Sequence, residues 1–82
     1  MGETSTDLAL RCTAAAHAGA DFQTIWDTVL RRNALVVGPP IQTSGDRLPQ
    51  LEIRLINGQR LVYRSMSNEY FVLWAARGRR PF

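Results

Sequence analysis

The stretch LEIRLINGQRLVYR, residues 51–64, decides the fold of this 82-residue chain. Apolar and polar residues alternate on both sides of an Ile-Asn-Gly segment, a pattern typical of two β-strands joined by a tight turn. A two-residue Asn-Gly loop would place apolar residues opposite arginines and mix the two classes on both faces. A three-residue loop, residues 56–58 with Gly58 in the left-handed conformation, instead pairs Ile53 with Leu61. Because register follows the buried face, we predict the three-residue loop.

This loop divides the hairpin into an apolar face and a charged face. The apolar face holds Leu51, Ile53, Leu55, Leu61 and Tyr63, and the charged face holds Glu52, Arg54, Arg60, Val62 and Arg64. Arg54 then lies opposite Arg60, and like charges in that position destabilise a sheet. The arrangement favours an anionic partner, although one solvated face of an antiparallel sheet ordinarily carries charge. Both interpretations stay open.

A third strand is predicted over residues 69–75, with apolar residues on both of its faces. One face holds Tyr70, Val72 and Trp74, and the other holds Phe71, Leu73 and Ala75. A strand with two apolar faces is central or covered on both sides, and a second protein molecule can cover one of the two faces. We therefore treat Tyr70, Val72 and Trp74 as a candidate interaction surface, with a homodimer or a protein partner as its occupant.

The N-terminal part of the chain predicts two helices. The first runs from Thr6 or Asp7 to about Ala18. The second follows Asp21 as its N-cap and carries apolar residues at helical spacing, namely Phe22, Ile25, Trp26, Val29 and Leu30. Residues 37–46 then predict a turn-rich bridge to the strands.

The order of these elements predicts the fold class. Helices followed by strands, without βαβ alternation, indicate an α+β fold in which two N-terminal helices pack on a three-stranded antiparallel β-meander. Residues 35–37 would add a fourth strand if they pair with the sheet. We expect a single domain, residues 1–82, with flexible tails at residues 1–6 and 77–82. The predicted core contains Leu8, Cys12, Phe22, Ile25, Trp26, Val29, Leu30, Leu51, Ile53, Leu55, Leu61, Tyr63, Val72 and Leu73.

Composition predicts a soluble, non-enzymatic protein of a reducing compartment. No apolar run approaches the roughly 18 residues of a membrane span. Cys12 is the only cysteine, which excludes an internal disulfide and favours a cytoplasmic location. With His17 as the only histidine, the chain lacks the residues for a zinc site or for ordinary acid–base catalysis, so we expect no metal, no cofactor and no enzymatic activity. All ten cationic residues are arginines, which is typical of a GC-rich, bacterial genome.

The arginines supply an alternative function. A candidate anion or nucleic-acid surface consists of the sheet residues Arg54, Arg60 and Arg64 and the tail residues Arg77, Arg79 and Arg80. Ala15, Gly19 and Ile25 also have the spacing of a helix-turn-helix. Asp21 and Asp27 on the supposed recognition helix oppose DNA binding, because phosphates repel them. We expect a small interaction or accessory protein, with a nucleic-acid-binding module as the alternative.

Overall fold

A helical layer covers one face of a four-stranded antiparallel sheet in the computed structural model, which describes residues 3–45 and 48–74. The elements are α1 (Ser5–His17), α2 (Phe22–Ile25) continued by a π-helical segment (Trp26–Leu30), β1 (Val36–Gly45), β2 (Leu48–Leu55), β3 (Gln59–Arg64) and β4 (Glu69–Trp74). The strands pair in chain order. The predicted α+β class is confirmed, and the fourth strand is present. No helix within the described ranges is long and apolar enough to cross a bilayer.

The β2–β3 hairpin has the predicted three-residue loop. Gly58 has a φ of 86°, and its N–H donates to the Leu55 carbonyl at 3.1 Å. The register is the predicted one, with Ile53 opposite Leu61. The loop is also tied to the first helix, because Nδ2 of Asn57 donates to Oγ of Ser5 at 2.8 Å. Side-chain parity therefore determined the turn more strongly than the Asn-Gly dipeptide did.

Strand β1 replaces the turn-rich bridge predicted over residues 37–46, so that prediction was wrong. The strand pairs with β2 on both sides of an irregularity between Val37 and Ile41. Gly38 has a φ of 77° there, and Pro39 and Pro40 follow it. Proline has no N–H to donate, but an edge strand needs its hydrogen bonds on one side only. The Gly-Pro-Pro sequence thus produces a bulge within an edge strand.

The first helix begins earlier than predicted. Thr4 is its N-cap, and Oγ1 of Thr4 accepts a hydrogen bond from the N–H of Asp7 at 3.0 Å. The Asp7 carboxylate accepts from the N–H of Thr4 in return, which completes a capping box. Residues 3–6 therefore belong to the helix and its cap rather than to a tail. The predicted tail at residues 77–82 lies outside the described residues.

The second helix is not the regular α-helix that the spacing predicted. After one α-helical turn the N–H of Arg31 donates to the carbonyl of Trp26 at 2.9 Å, five residues back. Ile25 and Leu30 are both fully buried, and a regular α-helix would place residues five apart about 140° from each other around its axis. The π turn adds a residue to the turn and directs both side chains into the core.

The core lies between the helices and the inner face of the sheet, defined here as the face that carries Ile53 and Leu61. Its buried apolar residues are Leu8, Ala9, Cys12, Ala16, Ile25, Leu30, Ile53, Leu55, Leu61 and Tyr70. Most of the predicted core is buried or packed against this cluster. Leu73 is an exception with 46% exposure, because it lies on the opposite face. Tyr70, predicted to form an interaction surface, is only 5% exposed.

Candidate functional site: the outer face of the sheet

The outer face of the sheet is the one opposite the helices. Strand register places its residues in three cross-strand rows, and each row runs from β1 to β4. The rows are Thr43, Gln50, Arg64 and Glu69; Ile41, Glu52, Val62 and Phe71; and Val37, Arg54, Arg60 and Leu73. The charged hairpin residues predicted from the sequence therefore share one face with apolar residues of both edge strands.

Glu52 is the centre of a hydrogen-bonded network on this face. One of its carboxylate oxygens accepts from Oγ1 of Thr43 at 3.0 Å and from Nε2 of Gln50 at 3.1 Å. The other accepts from Nη1 of Arg60 at 2.7 Å. Partial burial raises the pKa of Glu52, but the hydrogen bonds from Arg60, Thr43 and Gln50 together outweigh it and hold that pKa below its ordinary value. The carboxylate is therefore charged and satisfied.

Arg64 is also engaged within the protein. Its Nη2 donates to Oε1 of Gln50 at 3.3 Å, and its guanidinium carbon lies 5.1 Å from the centre of the Phe71 ring. That distance is within the range of a cation–π interaction. One face of the only described aromatic ring on the outer face is thus occupied by a side chain of the same chain.

Arg54 differs from the other two arginines of the sheet. It is exposed and lies opposite Arg60, as predicted. Among the described residues it makes no ion pair and no side-chain hydrogen bond. A β-carbon built on Gly38 would lie 3.9 Å from Nη2 of Arg54, so this side chain extends toward β1 whereas Arg60 extends to Glu52. The two like charges therefore diverge.

A cavity of about 130 Å³ lies between the diverging arginines at the hairpin end of the face. It is lined by Arg54, Leu55, Gly58, Gln59 and Arg60. The side chain of Arg60 is 43% exposed even with its Glu52 partner. Both guanidinium groups can therefore be reached from solvent beside this cavity.

Apolar side chains lie at both margins of the outer face. Val37 and Ile41 on β1 are 43% and 44% exposed, and Leu73 on β4 is 46% exposed. At the centre, Val62 is fully buried although no core residue of the helical layer faces it. Its direct cross-strand neighbours are Glu52 and Phe71. The outer face thus combines an ordered polar centre with an exposed apolar margin.

The interaction surface predicted from Tyr70, Val72 and Trp74 was placed on the wrong face. The Tyr70 ring lies on the inner face, 4.6 Å from the Tyr63 ring and 6.4 Å from the Phe22 ring. Val72 packs against the core. Trp74 pairs with Gln59 through its backbone, while its side chain lies outside what the structure describes.

Three predicted site residues belong to the C-terminal tail, and two apolar residues of the outer face were not predicted. The tail residues Arg77, Arg79 and Arg80 lie outside the described residues. Val37 and Ile41 were missed because residues 37–46 were interpreted as a bridge. The β-branched residues on both sides of the Gly-Pro-Pro sequence, Val36 and Val37 before it and Ile41 and Thr43 after it, were the available signal for an interrupted strand.

The edges of the sheet are both obstructed. On β4, Oγ1 of Thr13 accepts from the N–H of Tyr70 at 2.9 Å and donates to the carbonyl of Tyr70 at 3.1 Å. The helix thereby satisfies the backbone groups that Tyr70 would offer to a further strand. On β1, the bulge at residues 38–40 interrupts the ladder. Both features disfavour the addition of a strand at these positions, and the outer face is the side of the sheet that the helices leave uncovered.

Comparison with protein-family models, curated proteins and solved structures gives no match. Within residues 3–45 and 48–74, no three His, Cys, Asp or Glu side chains are grouped as metal ligands would be. The function is therefore argued from the outer face itself.

Proposed function

We propose that this protein is a non-enzymatic interaction module that binds a protein through the outer face of its sheet. The observation that carries the proposal is the exposure of Val37, Ile41 and Leu73 at the margins of a face that the helices leave uncovered. A single partner that lies across this face would cover the exposed apolar residues at both margins.

The polar centre of the face also supports a protein partner. Protein–protein interfaces combine apolar contacts with polar groups that are already hydrogen-bonded, and they are enriched in arginine and aromatic residues. Glu52 and its donors are ordered before any partner arrives. A partner that covers this network therefore has little side-chain entropy to remove, because the network is already fixed.

Nucleic-acid binding is the second candidate, favoured by the three arginines on one face. Two of them, Arg60 and Arg64, already contact groups of the same chain. The Phe71 ring carries Arg64 on one face, which competes with base stacking. A nucleic acid carries a phosphate at every nucleotide, so several phosphates would lie near Glu52 and Glu69 on the same face and would be repelled. We therefore rank this candidate below protein binding.

The substitution Leu73→Asp tests the proposal, with Met66→Asp as the matched control. Both residues are exposed and apolar, but Met66 lies in the β3–β4 turn rather than on the outer face. Wild type and both variants serve as baits for affinity capture from extracts of the cells in which the protein naturally occurs. Quantitative mass spectrometry then compares the proteins that each bait retains. Sedimentation velocity over a wide concentration range measures self-association of the same three proteins.

We expect Leu73→Asp to abolish a specific association that Met66→Asp retains, because it replaces an apolar contact of the interface with a charged group that binding would desolvate. If the lost association is with a second copy, sedimentation velocity identifies a homodimer; otherwise mass spectrometry identifies the partner protein. Urea denaturation verifies that both variants fold. Equal behaviour of all three proteins in both assays would refute the proposal, and salt-sensitive binding of oligonucleotides by the wild type would promote the second candidate.

A further inference from the structure

We infer that the outer face recognises an acidic protein segment, whose carboxylate binds between Arg54 and Arg60 while its apolar side chains contact Val37 and Leu73. The inference rests on the proposed function and specifies the chemistry of the partner. Four residues in one cross-strand row carry it, in the order apolar, cationic, cationic, apolar.

The two adjacent positive charges of this row favour the binding of an anion. Arg54 lies directly opposite Arg60, and like charges opposite each other destabilise a sheet. Arg60 has Glu52 as its carboxylate, whereas Arg54 has none among the described residues. A carboxylate placed between the two arginines would supply Arg54 with the ion-pair partner that it lacks.

The cavity beside the two arginines has the size of a side-chain group. Its volume of about 130 Å³ is well below the roughly 300–1,000 Å³ of sites that enclose whole small molecules. Gly58 forms part of its lining and contributes no side chain. Because its lining is mainly apolar, the cavity suits the methylene groups of an acidic side chain, whose carboxylate then lies at the rim beside the two guanidinium groups.

The apolar residues that flank the arginines favour a protein over a nucleic acid as the source of the anion. Val37 and Leu73 are at the two ends of the same row, on strands separated by three inter-strand spacings, or about 14 Å. In an extended peptide, residues i and i+4 are about 13 Å apart and point to the same side as residue i+2. The row therefore matches a segment with an acidic residue at i+2 and apolar residues at i and i+4.

Titration with synthetic peptides, followed by two-dimensional NMR, tests this match. The probe is Leu-Ser-Glu-Ser-Leu with blocked termini, and its control is the same peptide with Gln in place of Glu. Each is titrated into wild type, Arg54→Gln and Arg32→Gln. Arg32 is exposed and follows the π-helical segment, away from the outer face, so its variant removes the same charge elsewhere.

We expect the Glu peptide to shift the backbone signals of β2 and β3 near the hairpin loop. Arg54→Gln should weaken its binding about five-fold, as for loss of a charge-assisted hydrogen bond at a partly exposed site, and Arg32→Gln should leave it unchanged. Equal weakening by both variants, or equal binding of the Gln peptide to the wild type, would refute a specific carboxylate site. Tighter binding of oligothymidylate at the same signals would assign the arginines to phosphates and also overturn the inference.

Failure of this inference is distinguishable from failure of the proposed function. If Leu73→Asp abolishes an association that Arg54→Gln leaves at full affinity, the face binds a protein but the carboxylate site is wrong. If Leu73→Asp and Arg54→Gln both leave every association unchanged and the Glu peptide causes no shifts, both are wrong. Loss of the same association in both variants, together with the peptide result, supports both.

Discussion

At the scale of single residues, Glu52 connects the strands of the outer face through the hydrogen bonds that it accepts. Three donors from three strands converge on it: Thr43 of β1, Gln50 of its own strand and Arg60 of β3. Without the charge of Glu52, Arg60 would have no ion-pair partner among the described residues and would still lie opposite the cationic Arg54. The carboxylate therefore stabilises both the sheet and the position of the cationic pair.

We predict that Glu52→Gln lowers the free energy of unfolding by about 1–2 kcal/mol near pH 7, because it leaves the Arg60 hydrogen bond without its charge. Folding lowers the pKa of Glu52, so its stabilisation is complete above the unfolded value, about 4.3, and is lost as the pH falls through the folded value. Urea denaturation of both proteins should thus show a difference that shrinks as the pH falls below the unfolded value.

Glu69→Gln is the matched control for this experiment, because Glu69 is exposed and makes no ion pair among the described residues. It should change stability little at either pH. A stability difference for Glu52→Gln that stays constant with pH would show that the network depends on shape rather than on charge.

At the scale of elements, the β2–β3 hairpin was predictable because its two strands each have one apolar face. Only one loop length keeps those faces together, and the loop then requires a left-handed residue at its third position. Gly58 has the expected positive φ of 86°. Local chemistry and global packing agree at this loop, which is why the sequence was sufficient.

Gly58→Ala is therefore expected to lower the free energy of unfolding by about 1–2 kcal/mol, the cost of placing a β-carbon in the left-handed region. Ile56→Ala is the control, because the Ile56 side chain is exposed in the same loop. Thermal unfolding followed by circular dichroism compares the two. If both variants melt at the wild-type temperature, the loop does not constrain the hairpin as the register implies.

The orientation of β4 and the course of β1 were not predicted, for two different physical reasons. Both faces of β4 are apolar, so polarity could not distinguish them. Pairing Arg64 with Glu69, as the structure does, was the available signal and would have placed Leu73 on the outer face. In β1, the Gly-Pro-Pro sequence suggested a turn, and only pairing with β2 on both sides of the bulge shows that the strand continues.

The same contrast holds for the candidate site. The charged residues of the outer face followed from hairpin parity, and the pairing of Arg54 with Arg60 is confirmed. The apolar residues at the margins of this face could not be predicted from the sequence, because their position depends on the long-range pairing of β1 and β4 with the hairpin. The π-helical segment was also not predicted, because the same apolar spacing is typical of a regular α-helix; in the structure this segment accompanies the burial of both Ile25 and Leu30.

At the scale of the whole molecule, the helices cover one face of the sheet and enclose a single core. Cys12 lies in that core with no exposed surface, and burial raises the pKa of its thiol to about 11. The thiolate is the reactive form of cysteine. Modification of Cys12 therefore requires that α1 separates from the sheet.

We predict that a thiol reagent such as dithionitrobenzoate labels the native protein at least about a hundred-fold more slowly than the urea-unfolded protein, since labelling needs an opening of the core. The ratio of the two rates near pH 8 measures the free energy of that opening. Glu52→Gln and Gly58→Ala should accelerate native labelling if the opening is global. Rapid labelling of the wild type would show that α1 detaches without unfolding of the sheet.

The contact between Thr13 and Tyr70 has an evolutionary consequence. A protein that recruits partners through a free strand edge relies on backbone groups, which all sequences share, so its specificity is difficult to change by mutation. Here the helix occupies one edge at Tyr70 and a bulge interrupts the other. Under the proposed function, recognition would depend on side chains such as Val37 and Leu73, which do not belong to the core. Single codon changes at these positions would then redirect the proposed binding to new partners while the fold is conserved.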